Sequence, residues 1–184
     1  NKFLQHLTIQ EINEIKKKEF NNYKKVSFVR NPYDKIVSEY LWRIQIYGKK
    51  KIEFKRYLFE EVIPRKNGKN VFIKNFYKNE YLVPLLDIHY LDQYKFLINN
   101  DGKFSTDFIG KFENLEEDFY KIFNFNIKKN KIHKSKSNYI YYLYKKIIPK
   151  FFKKKAYRRF YDNETRDLIN KEYSKDLKFF NYHY

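Results

Sequence analysis

The apolar positions of this chain change period sharply between Lys25 and Trp42, KVSFVRNPYDKIVSEYLW. Val26, Phe28 and Val29 read as a short, mostly buried strand, after which Ile36, Val37, Tyr40, Leu41 and Ile44 recur at the spacing of one apolar helical face. Pro32 restricts Asn31 to extended backbone and cannot continue a ladder, so the chain turns there, and Asp34 is a suitable N-cap. Lys35, Glu39 and Arg43 fall on other sides of the helix. The product is strand, tight turn, helix, with Arg30 at the carboxyl end of the strand and Ser38 one turn into the helix. In α/β folds anionic ligands collect at such a junction, although the same pattern also suits a structural turn with an incidental Arg.

The same periodicity places further elements. Ile9, Ile12, Ile15 and Phe20 predict an amphipathic helix from Ile9 to Phe20, and Thr8 with Glu11 has the spacing of a capping box. A second helix is predicted from Phe54 to Ile63, followed by an exposed turn, Arg65 to Asn70, without chemistry of its own. Phe108 and Ile109 predict a second buried strand, Gly110 permits close approach, and Asn114 caps a helix whose Leu115, Phe119 and Ile122 face inward. A last helix starts at Asn163-Glu164-Thr165 with Leu168, Ile169 and Tyr173 inside.

Composition narrows the function. The 184 residues contain no internal repeat, which predicts one domain over residues 1–184. No apolar run is long enough to cross a bilayer, and the start is not signal-like. The absence of Cys excludes a disulfide framework and a thiolate metal site. A formal charge of +18 points toward a polyanionic partner, yet Lys, Asn, Ile, Phe and Tyr are all abundant together, as an AT-rich genome would produce without selection for binding.

Four segments then resemble one family in its own order. FVRNPYDKIVSEY resembles the 3′-phosphate-binding segment, R-x-P-x-x-R-x-x-S, of the carbohydrate sulfotransferases that use 3′-phosphoadenosine 5′-phosphosulfate, the sulfotransferase family 2-like branch. The resemblance implies that Arg30 and Ser38 hold the donor's 3′-phosphate. Lys35 stands at the usual second Arg, which keeps the charge and loses the planar fork. His89 to Leu97 is similar to the family's H-x-x-P-Q-x-x-F-L string, with Asp92 in place of Pro. DFIGKFENLEEDF, from Asp107 to Phe119, is a near match to a third string. His133 to Ser137 resembles a loop that closes over the donor, and Ala156 to Tyr161 with Asp176, Phe180 and Tyr182 resembles the family's ending. By that likeness Lys134, Ser135, Lys136 and Tyr157 join Arg30, Ser38 and Lys35 as donor contacts.

Three residues are candidates for the catalytic base. His6 lies just before the Thr8 cap, within a partial match to a K-H-x-T-A-like string, and is slightly favoured; as a lone His it is equally a surface or packing residue. His89 is either a general base or acceptor-positioning residue, or a hydrogen-bonded residue that fixes a loop. Glu113 lies at a strand-to-helix junction, while the other acidic residues of that helix fit a negative helix N-terminus. Gln93 orients a sugar hydroxyl or satisfies a backbone group. Val71 to Leu86 forms part of an acceptor cleft or of the core.

The implied fold is α/β, a central parallel sheet flanked by helices, of the sulfotransferase kind that resembles P-loop nucleotide-binding proteins. The family's glycine-bearing phosphate loop with its catalytic Lys does not precede Arg30, and residue 1 is Asn, so the expectation is an N-terminally truncated sheet with an exposed edge. The implied activity is sulfuryl transfer from that donor to a carbohydrate hydroxyl, with no metal required and no nucleic acid expected. A non-catalytic polyanion- or nucleic-acid-binding module, and an inactive paralogue kept for glycan binding, are the alternatives. Residues 138–155 form an aromatic, Lys-rich insertion suited to a membrane surface or a polyanion. The expected compartment is the cytoplasm for a bacterial or viral source and the Golgi lumen, membrane-attached, for a eukaryotic one.

Overall fold

The computed structural model describes residues 7–46, 52–73, 88–124 and 156–184. Two parallel strands, β1 (Val26–Val29) and β2 (Phe108–Lys111), pair in the register Val26 to Phe108 through Val29 to Lys111. Helices flank them, as the sequence predicts. They are α1 (Ile9–Ile15), α2 (Lys17–Phe20), α3 (Pro32–Ile46), α4 (Phe54–Tyr57), α5 (Ile63–Lys66), α6 (Leu115–Phe123), α7 (Asn163–Glu172) and α8 (Ser174–Phe179).

Lys25 O accepts the N–H groups of Asp107 and Phe108, so odd-numbered residues of β1 present their backbone groups to β2. Even-numbered residues therefore present theirs to the opposite edge, which among the described residues carries no strand. That edge borders a cavity of about 650 Å³, lined by Ile9, Ile12, Phe20, Phe96 and Leu97 together with all four residues of β1.

Several boundaries differ from the sequence expectation, each for a local reason. The predicted helix from Ile9 to Phe20 divides at Lys16, whose ψ of 33° ends α1; the Thr8–Glu11 capping box is present in full. Asp34 does not cap α3. Pro32 takes the first helical position, where a missing N–H is harmless, and Asn31 Oδ1 accepts the Tyr33 N–H at 3.1 Å as the cap. Asn114 sits at the N-cap position of α6 without a side-chain cap bond. The second predicted helix runs on to Lys66 through a π-helical turn, Leu58–Val62, where the Ile63 N–H reaches back to Leu58 O. Pro64 follows immediately; its missing N–H and its ring disrupt regular α bonding there. Arg65 is buried rather than exposed, donating to Val71 O at 2.7 Å, and the turn proper is held by Gly68 at φ +81°.

The main core packs Ile36, Val37 and Tyr40 of α3 against Tyr57, Leu58 and Val62, with Ile169 and Tyr173 closing the far side. Its tyrosines keep their hydroxyls satisfied: Tyr173 donates to Tyr90 O at 2.7 Å and Tyr161 to Tyr33 O at 2.9 Å. Such pairing makes an aromatic-rich core affordable in polar atoms. A smaller cluster of Val29, Tyr94, Leu97, Phe180 and Tyr182 lies under the sheet.

The polar side of α3 is also buried. Arg43 is fully covered, donating from Nε to Glu39 at 2.6 Å and from Nη1 to Glu61 at 3.3 Å, with the Tyr90 ring 4.4 Å from its guanidinium. Sequence spacing put Arg43 outside the apolar face. Its partners on other elements explain its burial, since a charge is covered only when paired and hydrogen-bonded.

Candidate functional site

The junction of β1 and α3 is built from three sides. Arg30 follows the last residue of β1, and its guanidinium donates from Nε to Asp34 at 2.6 Å while lying 4.7 Å from the centre of the Phe112 ring. Asp34 is four residues on from Arg30, one helical turn along, which is why it reaches. Ser38, half-buried, follows Asp34 by the same interval in the second turn of α3. A guanidinium, a hydroxyl-bearing residue and the amino end of a fifteen-residue helix thus belong to one strand-to-helix junction, the kind of place where anions bind in α/β folds.

The backbone at this junction is held by side chains from distant segments. Gln93 Oε1 accepts the Arg30 N–H at 2.9 Å, and Gln93 Nε2 donates to Arg30 O at 2.7 Å. Of the two roles the sequence allowed for Gln93, the backbone one is present. Asp176 holds Gln93 in turn, accepting its N–H at 2.8 Å and that of Tyr94 at 2.9 Å. Burial raises the Asp176 carboxyl above its ordinary value, against the lowering effect of those two hydrogen bonds.

Glu113 joins the two strand-to-helix turns. Its Oε1 accepts the Asn31 N–H at 2.8 Å and its Oε2 the Tyr182 hydroxyl at 2.7 Å. Burial, together with the hydrogen bond to Glu113, pushes the Tyr182 phenol well up. Both carboxylate oxygens thus serve as structural acceptors, a different task from the base considered in the sequence.

Lys35 points into the protein. Its ammonium donates to Leu91 O at 2.6 Å and lies 5.8 Å from the Tyr173 ring; burial lowers its pKa, opposed by Asp176, Asp92 and Glu39. The place it takes from the family's second Arg is therefore internal. Tyr157 is buried beside the junction, stacked on Tyr33 at 6.2 Å, with its hydroxyl accepting from Asn31 Nδ2 at 3.3 Å. It supports the turn from beneath.

His89 Nδ1 lies 3.1 Å from Glu39 Oε1, and its ring is 5.9 Å from that of Trp42. His6, Lys134, Ser135 and Lys136, and with them the insertion at 138–155, lie outside the described residues. Asp34, Phe112, Glu39 and Asp176 were not singled out for the site from sequence. The four-residue interval to Arg30 was the available signal for Asp34; Phe112 and Asp176 are brought in by tertiary packing.

Among the described residues no group of three or more His, Asp or Glu could hold a metal ion, and no helix is long and apolar enough to cross a membrane. No curated protein and no solved structure matches the chain. The model of the Sulfotransferase family matches residues 1–183, spanning every segment that builds the β1–α3 junction. The chain thus belongs to the sulfotransferase family.

Proposed function

We propose that the protein transfers a sulfuryl group from 3′-phosphoadenosine 5′-phosphosulfate to a hydroxyl of a carbohydrate. The observation that carries this reading is the Arg30 guanidinium, fixed between Asp34 and Phe112 at the carboxyl end of β1 with Ser38 on the helix that follows. Arg30 and Ser38 receive the donor's 3′-phosphate through charge-assisted hydrogen bonds. Lys134, Ser135 and Lys136 remain donor contacts by likeness to the family. The acceptor oxygen attacks sulfur as its proton passes to a general base; the bond between sulfur and the 5′-phosphate oxygen breaks, and the new charge rests on that phosphate. His6 is assigned as the base. The net charge of +18 favours an acidic glycan and an anionic donor over neutral substrates.

Calorimetry with 3′-phosphoadenosine 5′-phosphate tests the donor site. Arg30→Ala is expected to weaken binding by about 1.5–3 kcal/mol, and Ser38→Ala by less. Unchanged affinity in a folded Arg30→Ala variant sinks the assignment. Mass spectrometry of the protein incubated with the sulfate donor and a glycan panel tests the transfer itself; glycan binding without sulfation favours the non-catalytic alternative.

A further inference from the structure

The end of α8 turns the chain back and opens a groove. Asn181 has a left-handed φ of +51°, the Tyr182 N–H reaches back to Leu177 O at 2.9 Å, and residues 181–184 return toward the β1–α3 turn. Asn31 Nδ2 donates to His183 O at 3.1 Å, and the Tyr184 ring meets that of Tyr33 edge-on at 4.9 Å. The returning segment is thus attached to the first and third residues after Arg30. Between it and the two helices α7 and α8 lies a groove of about 720 Å³, within the size of small-molecule sites.

One wall of the groove carries polar side chains at intervals of four residues, Arg166 and Asn170 on α7, Ser174 and Lys178 on α8. That interval sets side chains on one helical face, about 6 Å apart along the axis. Tyr173 carries the row across the break, its N–H bonding Ile169 O at 2.9 Å and its C=O accepting from Leu177 at 3.0 Å. A cation therefore stands at each end, with an amide and a hydroxyl between.

These groups are open to a ligand. The Lys178 ammonium and the Ser174 hydroxyl have no ion pair or hydrogen bond among the described residues, and both residues are exposed. Arg166 Nε lies 3.7 Å from Asp167, beyond hydrogen-bond distance. The Asn170 amide is held at one end by the Tyr33 hydroxyl at 2.5 Å, and its other end has no partner among the described residues. Asp167 is the one carboxylate among the described lining residues, and Lys111, donating to Asn181 O at 3.4 Å, adds a third cation beside the returning segment.

Carboxylates spaced along a hydroxyl-rich chain match this row, one taken by the guanidinium, one by the ammonium, with hydroxyls bonded to Asn170 and Ser174. A nucleic-acid strand needs rings to stack on, whereas Tyr182 is buried and Tyr184 is packed on Tyr33. We propose that this groove binds an acidic glycan, with Arg166 and Lys178 on its uronate carboxylates, and is the docking part of the acceptor site. The acceptor role rests on the sulfuryl-transfer reading; the binding itself does not.

Calorimetry of the full chain with unsulfated heparosan hexasaccharide, in the absence of donor, is expected to show saturable binding that neutral maltohexaose lacks. Arg166→Gln combined with Lys178→Gln should weaken it at least about tenfold. Lys69→Gln combined with Lys103→Gln removes as much charge from exposed turns outside the groove and should leave it within about twofold. Affinity for 3′-phosphoadenosine 5′-phosphate should match the parent's in both double variants, which also shows the fold intact. No hexasaccharide binding, equal weakening in the two double variants, or a parallel loss of nucleotide affinity overturns the proposal. So does single-stranded DNA of equal charge binding more tightly through the same two residues. A parent that binds the glycan and not the nucleotide strikes the sulfuryl-transfer reading and leaves the groove; the reverse strikes the groove alone.

Discussion

Gln93 grips the backbone of Arg30 as a neighbouring strand would, accepting its N–H at 2.9 Å and donating to its C=O at 2.7 Å. Arg30 continues the even-numbered edge of β1 that carries no strand among the described residues, so a side chain closes the ladder where backbone pairing stops. Asp176 Oδ2, 2.8 Å from the Gln93 backbone nitrogen and 3.3 Å from Nε2, fixes the amide orientation that makes this possible.

Gln93→Ala is expected to destabilise the protein by about 1–3 kcal/mol, since it leaves two backbone groups of Arg30 without these partners. Gln93→Glu should be at least as costly at neutral pH, because a second carboxylate then faces Asp176 and Arg30 O. Denaturant unfolding of both variants, with nucleotide affinity measured on each, checks this. A wild-type midpoint for Gln93→Ala would show the clamp to be dispensable.

The Phe112 ring lies 4.7 Å from the Arg30 guanidinium, and Phe112 is itself 45% exposed. Phe112→Ala should therefore fold normally yet weaken 3′-phosphoadenosine 5′-phosphate binding by about 0.5–2 kcal/mol, the range of a cation–π contact. Calorimetry on Phe112→Ala and Phe112→Tyr separates the ring from its bulk. The Tyr variant should bind like the parent.

Gly110 is paired in register with Phe28, and a Cβ placed on it would lie 2.5 Å from the Phe28 ring and 3.2 Å from Asp118 Cβ. Gly110→Ala is expected to cost about 1–3 kcal/mol by overpacking the sheet against α6. Adding Phe28→Ala should make the glycine replacement nearly neutral in that background. Additive costs in the double-mutant cycle would refute the clash.

Alkali should unfold the protein through its buried tyrosines. Burial raises Tyr33 from 10.0 to about 12, with Arg166 opposing, and also raises Tyr161 and Tyr173 well above the ordinary phenol value. A phenol whose folded pKa is raised binds its proton more tightly in the native state, so the stability it contributes is complete below pH 10 and is lost as pH rises toward 12. Tyrosinate absorbance and circular dichroism should therefore change together in that window. Ionisation of these phenols with helicity intact would contradict the packing described.

Local chemistry determined much of this protein before any tertiary contact was known. The period change at Arg30-Asn31-Pro32, the capping box at Thr8 and Glu11, and the strand at Phe108 are written in residues a few positions apart, where propensity and sterics act. The family likeness rests on those same strings. Packing decided the rest. Arg43 has Glu39 one turn back on its own helix, but it is Glu61 and the Tyr90 ring that complete its cover, and Leu91 O and the Tyr173 ring that take in Lys35, across gaps of 18 to 138 residues. Gln93, Glu113 and Asp176 likewise became supports of the junction because three segments far apart in the chain meet there, and hydrogen-bond partners at such separations leave no periodic trace.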